Sequence, residues 1–257
     1  MCRWAAYIGE PIFIEELVTA PSQSLIQQSL RASQAVTEVN ADGFGLCWYD
    51  AHPTPGLYRD VLPAWSDDNL KSLARQVRSG LFMAHVRAST ETATSRNNCH
   101  PFVVDRWSFM HNGQVGGFGQ FRRRVDIAIP DRLYEHRRGA TDSEALFLLA
   151  AANGLEDGIK TAFERATGQL EALSTELGEP PHLRMTAAIS DGERLFAIRY
   201  ASDAQPPTLY HHARNGGRAV VSEPLDDLAD AWEEIPSGCW AEISTDRVEI
   251  SPFCPQA

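Results

Sequence analysis

Two helical segments stand in the middle of this chain with short strands on both sides, and that order narrows the possible folds more than any other feature. The first helix is announced by "TDSEALFLLAAANG". Thr141 and Glu144 make a capping pattern, eight apolar residues follow over 145–152, and Asn153-Gly154 closes the segment. A second, more polar helix is predicted over 156–177, stopped by Gly178 and Pro180-Pro181. Upstream, residues 2–8, 43–49, 81–89 and 106–112 read as strands, with a short helix over 22–29. An amphipathic helix from Ser66 to Gly80 places Leu70, Leu73, Ala74 and Val77 on one face. Downstream, short strands separated by turn residues are predicted over 183–190, 194–201, 208–211, 218–221, 240–244 and 247–250. Strands, helices, then strands again require sheets that pair across the sequence, which is an α+β arrangement. No Gly- or Ser-rich linker and no internal repeat divides the chain, so residues 1–257 are expected to form one domain.

Charge and motif content remove several classes of function. The 23 basic and 34 acidic residues leave a net charge of −11, which disfavours nucleic acid and anionic membranes as partners. The dense basic cluster Arg122-Arg123-Arg124 reads as a solvated face. Eight consecutive apolar residues fall far short of the roughly 20 that span a bilayer. Glu10, Glu15 and Glu16 interrupt any secretory signal, so a cytoplasmic protein acting on small molecules is expected. Five cysteines contain no C-x-x-C pair, which argues against a disulfide framework or a zinc ribbon. Adjacent Cys99 and His100 point to opposite faces of an extended chain, and no second pair stands at ligand spacing, so no metal or other cofactor is expected. Phosphate-binding glycine loops and a G-x-S-x-G elbow are absent from the sequence.

Four positions carry candidate chemistry, each with an ordinary alternative. Cys2 follows the initiator methionine. Once Met1 is trimmed, a free α-amine with a reference pKa of about 7.7–8.0 stands beside the thiol, so one residue supplies nucleophile and base. The ordinary reading is a cysteine placed there by accident. Arg87, in "AHVRAST", shares a strand face with His85, and its planar fork suits a carboxylate, either a ligand's or that of an internal Asp or Glu. Asn112-Gly113 can converge an amide and a backbone N–H on one developing oxyanion, or can form a two-residue hairpin turn. Asp142, in a first helical turn, can meet a ligand ammonium or serve the helix dipole.

Taken together, these segments resemble the class II glutamine amidotransferases, a family of N-terminal nucleophile hydrolases. The resemblance rests on Cys2, on Asn40-Ala41-Asp42-Gly43-Phe44-Gly45, and on "AHVRAST", "NCHPF", "MHNG" and "TDSE" in the family's order. It is nearest to stand-alone members that begin M-C-R and carry D-G-F-G and a late S-E-P, here Ser222-Glu223-Pro224. The resemblance implies a four-layer αββα sandwich. It also implies that Cys2 attacks a γ-glutamyl amide, with Asn112 and Gly113 forming the oxyanion hole, Arg87 holding the substrate's α-carboxylate and Asp142 its α-ammonium. His85, Thr90, His111, Ser222 and Glu223 lie in or beside the motifs and are expected to surround those groups. Ala88 and Glu91 depart from the pattern of synthase-fused members, where tryptophan follows the arginine and His-Gly follows the threonine. Three readings follow. The chain hydrolyses glutamine or a larger γ-glutamyl amide without an attached synthase, it supplies ammonia to a separate synthase or works with an amidase partner chain, or it binds a γ-glutamyl metabolite without catalysis.

Overall fold

The structure, a computed structural model, describes residues 2–31, 39–89, 92–214, 216–228 and 231–256. Met1 and Thr90 therefore lie outside the described residues. The described chain runs β1 (Arg3–Phe13), α1 (Glu15–Val18), α2 (Leu25–Leu30), β2 (Phe44–Tyr49), β3 (Gly56–Asp60), α3 (Asp68–Gln76) and β4 (Arg78–Val86). It continues through β5 (Phe102–Val104), β6 (Trp107–Val115), α4 (Phe118–Ala128), α5 (Asp131–Tyr134), α6 (Asp142–Ala152) and α7 (Leu155–Leu177). Seven strands complete it: β7 (Leu183–Ser190), β8 (Leu195–Ala201), β9 (Tyr210–Arg214), β10 (Gly217–Val221), β11 (Glu233–Glu234), β12 (Cys239–Ile243) and β13 (Val248–Pro252) follow in order, the two-residue β11 being only a short edge pairing.

These strands form two antiparallel sheets. One has the order β11-β9-β10-β1-β4-β2-β3 and the other β13-β12-β8-β7-β6-β5. Alternation along each strand sends successive side chains to opposite faces, so each sheet buries both. In the first sheet, Ala5, Tyr7, Phe82, Ala84 and Val221 face outward against Leu17, Leu25 and Leu70 of α1, α2 and α3. In the second, Phe109, Met185, Ala187 and Ile198 face outward against Phe121, Phe147 and Phe163 of α4, α6 and α7. Between the sheets lie Trp4, Ala6, Cys47, Met83 and Val220 on one side and Met110, Ala188, Ala197 and Ala241 on the other. The result is the four-layer αββα sandwich that the resemblance implies. No helix of the described residues is long and apolar enough to cross a membrane.

Local differences from the sequence reading have physical causes. Helix α3 is capped by Asp67, whose carboxylate accepts from Leu70 N at 2.6 Å, rather than by Ser66. It ends at Gln76 instead of Gly80 because Arg78 and Ser79 already pair with Phe13 and Ile12 in β1, and the ladder takes the chain. Helix α4 contains the arginine cluster that reads in the sequence as a solvated face. It buries Phe118, Phe121 and Val125 at helical spacing while Arg122 and Arg124 pair outward with Asp126 and Glu176.

Candidate active site

Cys2 stands one residue ahead of β1, and its position is set by a buried clamp. Arg3, 1% exposed, donates from Nε to Glu223 Oε2 at 2.8 Å and from Nη1 to the Cys2 carbonyl at 2.9 Å. Trp4 N donates to Ser222 Oγ at 3.0 Å, and Ser222 N returns a bond to Trp4 O at 3.0 Å. Ser222 and Glu223 thus hold the backbone that presents the cysteine. The Cys2 thiol faces Ala88, accepting from its N–H at 3.4 Å, with the Ala88 carbonyl 3.5 Å away. Burial pushes the thiol pKa up, and the Ala88 N–H and nearby Arg87 and Arg3 only partly offset that. The sulfur therefore carries its proton near neutrality and needs a base to become a nucleophile.

Arg87 lies one residue beyond β4, a small correction to the strand reading. Its backbone still bonds across to β2's approach, with Arg87 N donating to Gly43 O at 2.8 Å and Asp42 N to Arg87 O at 3.0 Å. The buried guanidinium donates to Asp42 O at 3.2 Å, Ser89 Oγ at 2.9 Å and Thr92 Oγ1 at 2.7 Å. These partners are neutral, and no carboxylate of the described residues pairs with it. Of the two readings, an internal ion pair is therefore not the one observed. A buried guanidinium without an anion is costly unless a ligand supplies one. Ser89 and Thr92, which orient it, were not singled out in the sequence, although the run of hydroxyl residues after the arginine was the available signal.

Asn112 and Gly113 sit inside β6 rather than at a hairpin. They pair with Thr186 and Met185, and the ladder continues to Val115 opposite Leu183. The Asn112 side chain is 1% exposed, and neither Nδ2 nor Oδ1 has a hydrogen-bond partner. At Gly113 an added Cβ would lie 1.8 Å from Arg184 O and 2.6 Å from His111 Nε2, so no side chain fits there. His111 Nδ1 is 2.8 Å from Ser143 Oγ, and burial pushes its pKa down. His85 lies between the sheets with Nε2 3.3 Å from the His111 carbonyl, and burial pushes it down to about 3.

Asp142 is the first residue of α6, directly after the cap Thr141, whose Oγ1 accepts from Glu144 N at 3.1 Å. Asp142 accepts from Val115 N at 2.8 Å and Ser143 N at 2.7 Å, which ties the helix start to the end of β6. The capping pattern is half realised. The Glu144 carboxylate turns to Arg137 Nη1 at 2.9 Å and Gly139 N at 2.8 Å.

Cys2, Arg87, Gly113, Asp142 and His111 line one cavity of about 100 Å³. His100, Thr92 and Gln114 also line it and were not among the expected site residues. Asn112 and His85 lie behind its wall, and Ser222 and Glu223 act from the far side of β1. A larger hollow of about 380 Å³ lies beyond the first turn of α6, between β3 and β5, and holds none of the four candidate groups.

The sequence profile described as "Glutamine amidotransferases class-II" matches residues 15–215. The chain belongs to that family and is an enzyme of it. It is 37% identical to the probable glutamine amidotransferase DUG3 of Saccharomyces cerevisiae, over 98% of this chain and 84% of the relative. It is 29% identical to a gamma-glutamyl-hercynylcysteine sulfoxide hydrolase of Mycolicibacterium smegmatis, over 98% of this chain and 100% of that one. Among solved structures, a glutamine aminotransferase class-II domain protein from Silicibacter pomeroyi superposes with a TM-score of 0.80 at 44% identity. That superposition covers 99% of this chain and all of the other.

Proposed function

We propose that this chain hydrolyses a γ-glutamyl amide through a thioester on Cys2, acting as a single domain once Met1 is removed. The observation that carries this reading is the convergence on one cavity of groups from positions 2, 87, 113 and 142. Arg87 has the charge and the missing anionic partner to take a substrate α-carboxylate. Asp142 has the charge to take the α-ammonium. The γ-carbonyl then lies toward Cys2. The freed α-amine of Cys2 takes the thiol proton, and sulfur attacks the γ-carbonyl carbon. The unpartnered Asn112 amide and the Gly113 N–H stabilise the oxyanion. Collapse expels the amine with the proton the α-amine had taken. Water, deprotonated by the same α-amine, then attacks the thioester carbonyl; the C–S bond breaks, the Cys2 sulfur takes that proton back, and glutamate is released. The name of the 29% identical hydrolase supports a substrate larger than glutamine. Five unpaired thiols suit a reducing compartment such as the cytoplasm.

The test is a panel running from glutamine to glutathione and γ-glutamyl-cysteine derivatives, scored for glutamate release by the wild type and Cys2→Ala. Release by the wild type alone is expected, with intact mass showing Met1 absent. Equal release by Cys2→Ala would sink the mechanism.

A further inference from the structure

Two sequence motifs supply no reacting or ligand-binding group in the chemistry above: Asn40-Ala41-Asp42-Gly43-Phe44-Gly45, which only braces Arg87, and Asn98-Cys99-His100-Pro101-Phe102. In the structure they form one device. The segment from Cys99 to Pro101 lies directly on β2 and its approach. A Cβ at Gly45 would come 1.9 Å from the His100 carbonyl, and one at Gly43 would come 2.6 Å from Cys99 Sγ. Asn98 fastens the other side, donating to Ala93 O at 2.8 Å and accepting from Ala140 N at 2.8 Å. Arg59 Nη1 donates to the Cys99 carbonyl at 3.1 Å. The glycines of the first motif make room for the second, and what they make room for is His100.

The His100 ring is held firmly and left unsatisfied. It lies tilted against His85 with centroids 4.2 Å apart and meets the edge of Phe102 at 4.6 Å. It is 4% exposed and lines the Cys2 cavity, yet neither ring nitrogen has a partner. Leaving a buried donor or acceptor unpaired costs about 1–3 kcal/mol, and a histidine kept only for packing gains nothing from that cost. The fixed charges that act on it are the cations Arg87 and Arg59, while burial keeps the neighbouring His85 and His111 rings toward their neutral form. An anion is the partner that His100 and Arg87 lack on their side of the cavity.

We propose that His100 is a further substrate-binding residue, its ring N–H donating to the same α-carboxylate that Arg87 grips. This rests on the γ-glutamyl reading above. Arg87 supplies charge and His100 a directional neutral donor from another wall, so the two together select a free carboxylate over an amidated one.

Binding of L-glutamate, the expected product, is measured by calorimetry on the wild type, His100→Phe and His100→Gln. His100→Phe is expected to weaken binding at least tenfold, and His100→Gln, which keeps an N–H donor, to stay within about threefold of the wild type. Unchanged affinity in His100→Phe, or equal losses in both variants, would overturn the inference while leaving the γ-glutamyl reading in place. A wild type that binds no glutamate would overturn both. Should His100→Phe fail to fold, nitrogen-15 NMR of the wild-type imidazoles decides the matter. Glutamate is expected to shift the His100 ring signal, identified by its loss in His100→Gln, and no shift would refute the contact.

Discussion

Two buried polar clusters lie within a turn of each other at the start of α6 and are finished in opposite ways. Around Glu144, the carboxylate accepts from the Arg137 side chain and from the backbone N–H groups of Arg138 and Gly139. Arg137 reaches on to Asp126 Oδ1 and the Thr141 carbonyl. Around the Cys2 cavity, both amide atoms of Asn112, both ring nitrogens of His100 and Nδ1 of His85 have no partner. The same stretch of chain can therefore pair nearly all of a buried network, leaving Arg137 Nη2 alone without a partner there, and does so on one side only. The first cluster holds the helix start in place; the second keeps its hydrogen-bonding capacity for a visitor.

The contrast is open to breakage from either side. Glu144→Ala attacks the closed cluster. It takes one of two carboxylate partners from a cation that is 2% exposed and strands two backbone donors, and is expected to cost about 3 kcal/mol in urea unfolding. A change of a few tenths would mean that the cluster is not what holds α6. Asn112→Leu attacks the open cluster and carries the opposite signature. Turnover should fall about 10²–10³-fold for loss of an oxyanion donor. The melting temperature should hold or rise, because two unpaired polar atoms are gone. A variant that loses stability along with activity would show that Asn112 belongs with the closed cluster.

Acidification sharpens the comparison without mutation. Above about pH 6.5, His85 is neutral in folded and unfolded chains and does not affect the balance between them. Below that, the unfolded chain takes up a proton that the buried ring refuses until its folded pKa of about 3, so stability falls as pH drops between those values. Going from pH 7 to pH 5 should remove about 2 kcal/mol through His85 alone, with His100 and His111 acting in the same direction. Thermal melts across that range check it, and a flat profile would mean that the rings are not buried in neutral form.

Much of this was legible from the residues. The Thr141 cap, the long helix behind it and the late run of short strands were readable because each rests on local patterning that tertiary contacts reinforce. Arg87, Gly113, Asp142 and Cys2 could be singled out because each residue type is unusual in its local setting. The end of α3 was misplaced because pairing with β1, a partner more than sixty residues away, outweighed a nearby glycine. Asn112-Gly113 carried an equally good hairpin signal, and only the register with β7 separates the two readings. His100 was legible only as part of a motif. Its meaning depends on Gly43 and Gly45, more than fifty residues earlier in the chain, and no window of sequence contains both.

The clamp at Cys2 also has a consequence in time. Strand β1 leaves the ribosome early, but the partner that flanks it on one side, β10, and the Ser222-Glu223 pair that grips its start are made more than two hundred residues later. A nascent chain short of residue 223 carries its cysteine on a strand that only β4 can flank, without the Arg3–Glu223 contact to hold it. Assembly of the reactive end thus waits until residue 223 has been synthesised.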